Sequence, residues 1–229
     1  MPAGGNRAPA TAAAGLLAAA LALAGCGGSG SSSRARVPPT PGCRHVQAPG
    51  PKRLAPLPRP TGRLDPAHTY VARMSTSCGE IDIQLAVGHS PRTASSFAYL
   101  VRRGFYDGLT FHRISHPNGD FVIQGGDPRG DGSGGPGYRV VEAPPPGTRY
   151  TRGVVAMAKT MSEPAGASGS QFYIVTAQDA MLPPDYAVLG HVIAGDEILS
   201  RIAAVPTGGP TGQQPLMPVV IEKVVVQQS

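Results

Sequence analysis

Arg113, Phe121, Val122 and Gln124 share the stretch FHRISHPNGDFVIQGGDP, residues 111–128. It supplies one permanent cation, several apolar side chains and a carboxamide ahead of a Gly-Gly pair. It holds no cysteine, and its acids, Asp120 and Asp127, fall in turn-like sequence. Covalent catalysis needs a nucleophile with an activating partner, and proton transfer needs a titratable group tuned to the working pH. Neither pattern is evident. What remains is electrostatic: a fixed donor beside an apolar surface, favouring one geometry of a bound group over another.

Other chemistry-bearing patterns are weaker. Gly130-Asp131-Gly132-Ser133-Gly134-Gly135 has the spacing of a phosphate-cradling loop, but Pro136-Gly137 follows where a helix is required, so it reads as a flexible turn. Gly166-Ala167-Ser168-Gly169-Ser170 misses a nucleophile elbow, because Ser stands at position 170. The six histidines have no cysteine partner at a metal-ligand spacing. No metal and no cofactor is expected.

The elements that must position these residues are short. YVARMSTSCGEIDIQLAV, from Tyr70, reads as two strands about a Cys78-Gly79 turn, with Ile81, Ile83 and Leu85 alternating. SPRTASSFAYLVRRG reads as a helix with Ser90 as N-cap, Pro91 in its first turn and Gly104 at its end. Further strands are predicted over 110–114, 121–124, 153–159, 171–176, 187–193 and 218–226, and a second helix over 196–204. Many short strands between Gly/Pro turns, with only two helices, predict a mainly β domain, a barrel or sandwich.

The 229 residues divide by composition. Residues 1–70 carry eight Lys/Arg and one acid, while 71–229 carry twelve and thirteen, so the excess positive charge belongs to the N-terminal part. A near-neutral folded part argues against nucleic-acid binding. Ala12 to Gly25 is an apolar run too short to span a bilayer, and Leu23-Ala24-Gly25-Cys26 resembles a bacterial lipobox. That resemblance implies that residues 1–26 are a lipoprotein signal peptide, with Cys26 lipidated and the chain anchored to the outer side of the cell membrane. Residues 27–65 are Gly/Ser-rich, then Pro-rich, and read as a disordered spacer; 66–229 form the domain. In an exported chain, Cys43 and Cys78 could form one disulfide or remain two thiols.

Three later stretches complete a pattern with Phe111-His112-Arg113 and Gln124-Gly125-Gly126-Asp127: GVVAMAKT (153–160), GSQFYIVT (169–176) and MLPPDYAVLG (181–190). Together they resemble the cyclophilins, the prolyl cis-trans isomerases, over essentially the whole domain. The resemblance implies a closed eight-stranded antiparallel β-barrel capped by two α-helices, a proline-containing polypeptide as substrate, no cofactor and a monomer. It implies that Arg113 is the catalytic arginine; Gln124 matches the groove beside it, where it would orient the guanidinium or bind the substrate backbone. Phe121, Val122, Tyr173, Leu182 and Tyr186 match the walls of the proline pocket. Gly132, Ala158, Lys159, Gln171 and Met181 match the groove for the flanking peptide. Departures are Tyr173 for the usual Phe, Tyr186 for a frequent His, Lys159 for a frequent Asn, Met181 for Trp, and a longer loop between Arg113 and Phe121. These keep open a binding or chaperone module without turnover. Prolines 49, 51, 56 and 58 of the spacer are also candidate tethered ligands for the groove.

Overall fold

The computed structural model describes residues 40–229. The leader and lipobox of residues 1–26, with Cys26, and residues 27–39 of the spacer lie outside the described residues. Strands β1 (Tyr70–Thr76) and β2 (Gly79–Leu85) form the first hairpin. Then come α1 (Pro91–Arg102), β3 (Leu109–Ser115), β4 (Val122–Gly125), β5 (Val140–Val141), β6 (Val154–Met157), β7 (Ala167–Ser168) and β8 (Phe172–Val175). The chain ends with β9 (Val188–Ala194), α2 (Asp196–Ala203), β10 (Thr207–Gly208), β11 (Gln214–Pro215) and β12 (Val220–Gln228). Eight strands close a barrel in the order β1-β12-β3-β4-β8-β6-β9-β2, every pairing antiparallel. Closure leaves no free edge. β5 pairs with β7, and β10 with β11, outside the barrel.

Period-two alternation decides which side chains meet. In β4, β6 and β8, Ile123, Val155, Met157, Phe172 and Ile174 point into the barrel core. Their neighbours Val122, Ala156, Tyr173 and Val175 point outward, yet are also buried, in a second apolar cluster with Tyr150 and Ala180. These strands are therefore apolar on both faces, and the outer face forms one wall of a surface groove.

Helix α1 buries Phe97 against Tyr106 at 4.8 Å and Phe172 at 6.2 Å between ring centroids. Ser90 occupies the expected N-cap position but its side chain makes no cap. The carboxylate of Glu142 accepts instead from the Arg92 and Thr93 N–H groups at 3.1 and 2.8 Å. The helix ends as expected: Gly104 takes φ +62°, and the N–H groups of Gly104 and Phe105 reach back to Val101 and Leu100. In α2, Ile198 lies under the β1–β2 turn, where a Cβ on Gly79 would stand 2.5 Å from its Cδ1.

Residues 40–65 depart from the spacer reading. They lie along the barrel as an extended strap. Cys43 is disulfide-bonded to Cys78. The Arg44, Lys52 and Leu57 N–H groups donate to Ser77, Pro128 and Pro136 carbonyls. Pro58 O accepts from the Tyr99 hydroxyl at 3.0 Å, and Leu64 N–H donates to Ser95 Oγ at 2.9 Å. Low apolar periodicity signalled the absence of helix and strand, but an extended chain can still satisfy its backbone on a neighbouring surface.

The bridge closes a loop spanning 35 positions, a constraint on the unfolded chain worth about 3–4 kcal/mol. Cys43→Ser is expected to lower the unfolding free energy by about that amount in denaturant titrations. The wild type with reductant should show the same loss; an unchanged midpoint in both would refute the constraint.

Candidate active site

Strict alternation along β3 would place Arg113 on the same side as Phe111, inside the barrel. It does not go there, because the β3–β4 register shifts between Phe111 and Arg113. This bulge inserts one residue, so Phe111 and Ile114 both enter the core, 1% and 0% exposed, while Arg113 turns outward. His112 absorbs the irregularity. Neither of its ring nitrogens has a partner, and burial lowers its pKa, so it stays neutral at neutral pH.

Three contacts fix the guanidinium. Arg113 Nη1 donates to Gln124 Oε1 at 3.0 Å, Nη2 to Ser115 Oγ at 3.3 Å and Nε to Gln213 Oε1 at 2.5 Å. Burial lowers the Arg113 pKa, but guanidinium is not deprotonated in proteins. Of five N–H groups, three are engaged, leaving one on each terminal nitrogen for a ligand. Ser115 and Gln213 were not foreseen. Gln213 arrives from the β10–β11 hairpin, 100 positions away in sequence, and its own carbonyl accepts from the Ile114 N–H at 2.9 Å. Nothing local in sequence marks it.

From Gln124 the polar chain continues. Gln124 Nε2 donates to Gln171 Oε1 at 3.1 Å, and Gln171 Nε2 donates to the Gly132 and Gly134 carbonyls at 2.8 and 2.9 Å. The loop that carries those carbonyls is shaped by buried Asp127, which accepts from the Arg129 and Gly132 N–H groups at 2.8 and 2.5 Å. The Gly-rich run therefore forms a groove wall, consistent with the absence of a following helix. Gly126 must be glycine: a Cβ there would stand 2.4 Å from Ser170 O.

Beside the arginine lies an apolar pocket of about 170 Å³, where Phe121, Val122, Tyr173, Leu182 and Tyr186 meet Arg113, Gln124, Ala158 and Lys159. Gly132 and Gln171 line a larger adjoining cavity of about 620 Å³. Met181 lines neither. It takes φ +52° and projects 83% exposed at the rim, held by its N–H to Asp179 Oδ1 at 2.9 Å.

Two pocket residues behave unlike a simple wall. Lys159, its side chain 3% exposed, pairs with Asp185 at 2.5 Å, with Nζ 5.5 Å from the Tyr186 ring centroid. It ties together two loops that frame the pocket. Tyr150, unforeseen and fully buried, accepts from Tyr186 N–H at 2.9 Å and donates to Tyr186 O at 2.7 Å. That clamp sets the Tyr186 ring edge-on to Tyr173, 5.6 Å between centroids. The Tyr173 hydroxyl is buried without a partner, and burial pushes its pKa up. The spacer prolines do not occupy this pocket: Pro51 and Pro56 lie on the far side of the 128–137 loop. His112 and His116 stand four residues apart, but on a strand and the loop after it. His116 pairs with Asp120 at 3.4 Å.

The site is thus a clamped arginine beside an apolar pocket on the outer face of a closed antiparallel barrel. The family description "Cyclophilin type peptidyl-prolyl cis-trans isomerase/CLD" matches residues 71–226. Peptidyl-prolyl cis-trans isomerase B of Streptomyces anulatus is 35% identical over 179 residues, covering 70% of this chain and 98% of the relative. Peptidyl-prolyl cis-trans isomerase-like 1 of Rhizopus delemar is 39% identical over 138 residues, covering 58% and 80%. A Cryptosporidium parvum cyclophilin-type isomerase, crystallised in the presence of the dipeptide Ala-Pro, superposes with a TM-score of 0.62 at 28% identity, over 69% of this chain and 99% of that one. The chain belongs to the cyclophilin-type peptidyl-prolyl cis-trans isomerases.

Tyr173→Phe removes a buried hydroxyl that has no hydrogen bond, so it should raise the unfolding free energy by about 1 kcal/mol. A loss of stability in urea titrations would show that the hydroxyl has a partner.

Proposed function

We propose that this isomerase acts on X-Pro bonds of exported polypeptides while held outside the cytoplasmic membrane by acyl chains on Cys26. The observation that carries the catalytic part is the three-way clamp on Arg113 beside the apolar pocket. Rotation about an X-Pro bond meets a barrier of about 18–20 kcal/mol from amide resonance. As the amide twists, the proline nitrogen pyramidalises and gains a lone pair. A donor aimed at that position stabilises the twisted form more than either planar form, and only that difference accelerates the reaction.

Each group then has a role. The pocket holds the pyrrolidine ring while the preceding carbonyl turns. One free N–H of Arg113 serves the developing lone pair, and the other is available to a neighbouring carbonyl. Gln124, Ser115 and Gln213 hold the guanidinium before substrate arrives, so little reorganisation accompanies the twist. Gln171 and the Gly132 loop present backbone and amide groups to the flanking peptide. A rate gain of about 10⁵ requires about 7 kcal/mol, within reach of a charge-assisted hydrogen bond in a desolvated groove combined with orientation. No nucleophile, base or cofactor enters.

Two features support the extracytoplasmic reading: the lipobox-like LAGC of residues 23–26 and the Cys43–Cys78 bridge, a bond type that persists in oxidising compartments. The expected mature chain begins at Cys26 and carries acyl chains, readable by intact mass after expression in a bacterial host. An N-terminus at Met1, or an unmodified Cys26, would overturn the anchoring.

Arg113→Ala is expected to lower kcat/KM on an Ala-Pro peptide by about 10²–10³-fold. Retention of full activity would refute the mechanism. Exchange NMR on the same peptide separates catalysis from binding, since a binding module broadens signals without accelerating exchange.

A further inference from the structure

The strap changes where the charge of this protein lies. Residues 40–65 and 91–103 contain Arg44, Lys52, Arg53, Arg59, Arg63, Arg92, Arg102 and Arg103, with Asp65 as their only acid. Strap and α1 are joined along one face. The Tyr99 hydroxyl donates to Pro58 O, Leu64 N–H to Ser95 Oγ, and Arg59, Arg63 and Arg92 line one surface hollow of about 350 Å³. On α1, Arg92, Tyr99 and Arg103 recur at i, i+7 and i+11, one stripe of the helix, with the Arg103 guanidinium 3.7 Å over the Tyr99 ring.

The cations of this face differ from those elsewhere. Over the rest of the barrel six of nine pair with carboxylates: Arg73, Arg139, Arg149, Arg152, Lys159 and Lys223. Arg113 and Arg129 donate to uncharged side chains, and Arg201 to the Gly42 and Cys78 carbonyls. On the strap and α1, among the described residues, only Arg44 pairs with a carboxylate, that of Glu222. Lys52, Arg59 and Arg92 donate to backbone carbonyls, which leaves their charge uncompensated. The neighbouring acids are engaged elsewhere: Glu142 by the N–H groups at the start of α1, Asp107 by Lys223 and the Val224 N–H, and Asp131, which shares a hollow with Lys52, Arg53 and Leu54, by the Ser133 hydroxyl and N–H.

We infer that this face is a docking surface for an anionic phospholipid membrane, independent of any lipid on the chain. Three observations favour a membrane over a nucleic acid. The strap contains no Phe, Tyr or Trp on which a base could stack, and the one aromatic of the α1 stripe, Tyr99, is already covered by the Arg103 guanidinium. It presents Leu54, 43% exposed, directly after Lys52-Arg53, an apolar group among cations that suits the headgroup boundary. It is also the segment nearest in sequence to the apolar run ending at Cys26, with Arg34 and Arg36 between. Each Lys or Arg near an anionic surface raises partitioning by about fivefold at moderate salt. The role is to lay the barrel against the membrane in one orientation.

The test is sedimentation of the full chain with vesicles of phosphatidylglycerol and phosphatidylcholine, against vesicles of phosphatidylcholine alone. The variant combines Arg53→Glu, Arg63→Glu and Arg102→Glu, three exposed side chains with no hydrogen bond or ion pair among the described residues. Phosphatidylcholine vesicles report the contribution of the apolar leader, which the variant leaves unchanged. The wild type should prefer the anionic vesicles by at least tenfold, losing that preference as salt rises to 0.5 M. The triple variant should lose it at low salt while keeping the thermal midpoint of the wild type. Three results would overturn the proposal: equal binding of the wild type to both vesicle types, a variant that retains the anionic preference, or tighter binding to duplex DNA than to anionic vesicles at matched salt. If the triple variant unfolds, Arg63→Glu alone should still cut the preference about fivefold or more, and no change there would also overturn it.

Discussion

A permanent positive charge imposes direction on everything hydrogen-bonded to it. Arg113 can only donate, so Gln124 must turn its oxygen toward the guanidinium and its nitrogen away. Gln171 must then turn its oxygen toward Gln124, which aims its amide nitrogen at the Gly132 and Gly134 carbonyls. One cation thus orients two carboxamides and anchors a glycine-rich loop. Side chains from β3, β4 and the residue just before β8 become a single polar chain along the groove. The same constraint explains why the arginine is held on three sides yet keeps two donors free: a side chain with this much rotamer freedom serves a transition state only if its freedom is lost before substrate binds.

The apolar pocket depends on the barrel in a different way. Val122, Ala156, Tyr173 and Val175 are buried because β4, β6 and β8 are adjacent and alternate in phase, so each inner-core residue is followed by one of the outer cluster. Tyr150 and Lys159 then shape the outer layer, one by clasping the Tyr186 backbone and the other by joining Asp185 across loops. These substitute polar ties for a purely apolar wall. Tyr173 carries the cost, with its hydroxyl enclosed and unpaired.

The strap makes the N-terminal segment part of the folded body. Its disulfide, backbone hydrogen bonds and buried Leu64 hold an irregular chain against the barrel without helix or strand. It backs the 128–137 loop through Pro128 and Pro136, so the wall of the groove is supported from behind. It also brings cations without a carboxylate partner together on one face, whereas six of the nine elsewhere among the described residues are paired.

Alternating Ile81, Ile83 and Leu85, the Pro91-to-Gly104 helix signals and the run of short strands were legible because local periodicity and turn chemistry act over a few residues. The separated motifs likewise marked Arg113, Gln124, Gln171 and the pocket residues. Boundaries shifted by at most two residues, and the spacer was misread, because a chain without periodicity can be free or docked with the same local pattern. The sequence alone determined which residue types were available for an electrostatic site and which strands would carry them. Tertiary structure decided that Arg113 faces outward through the bulge at His112, that Gln213 meets it from a distant hairpin, and that residues 40–65 lie on the barrel. Each depends on registry or contact between segments far apart in the chain, where short-range spacing carries no information.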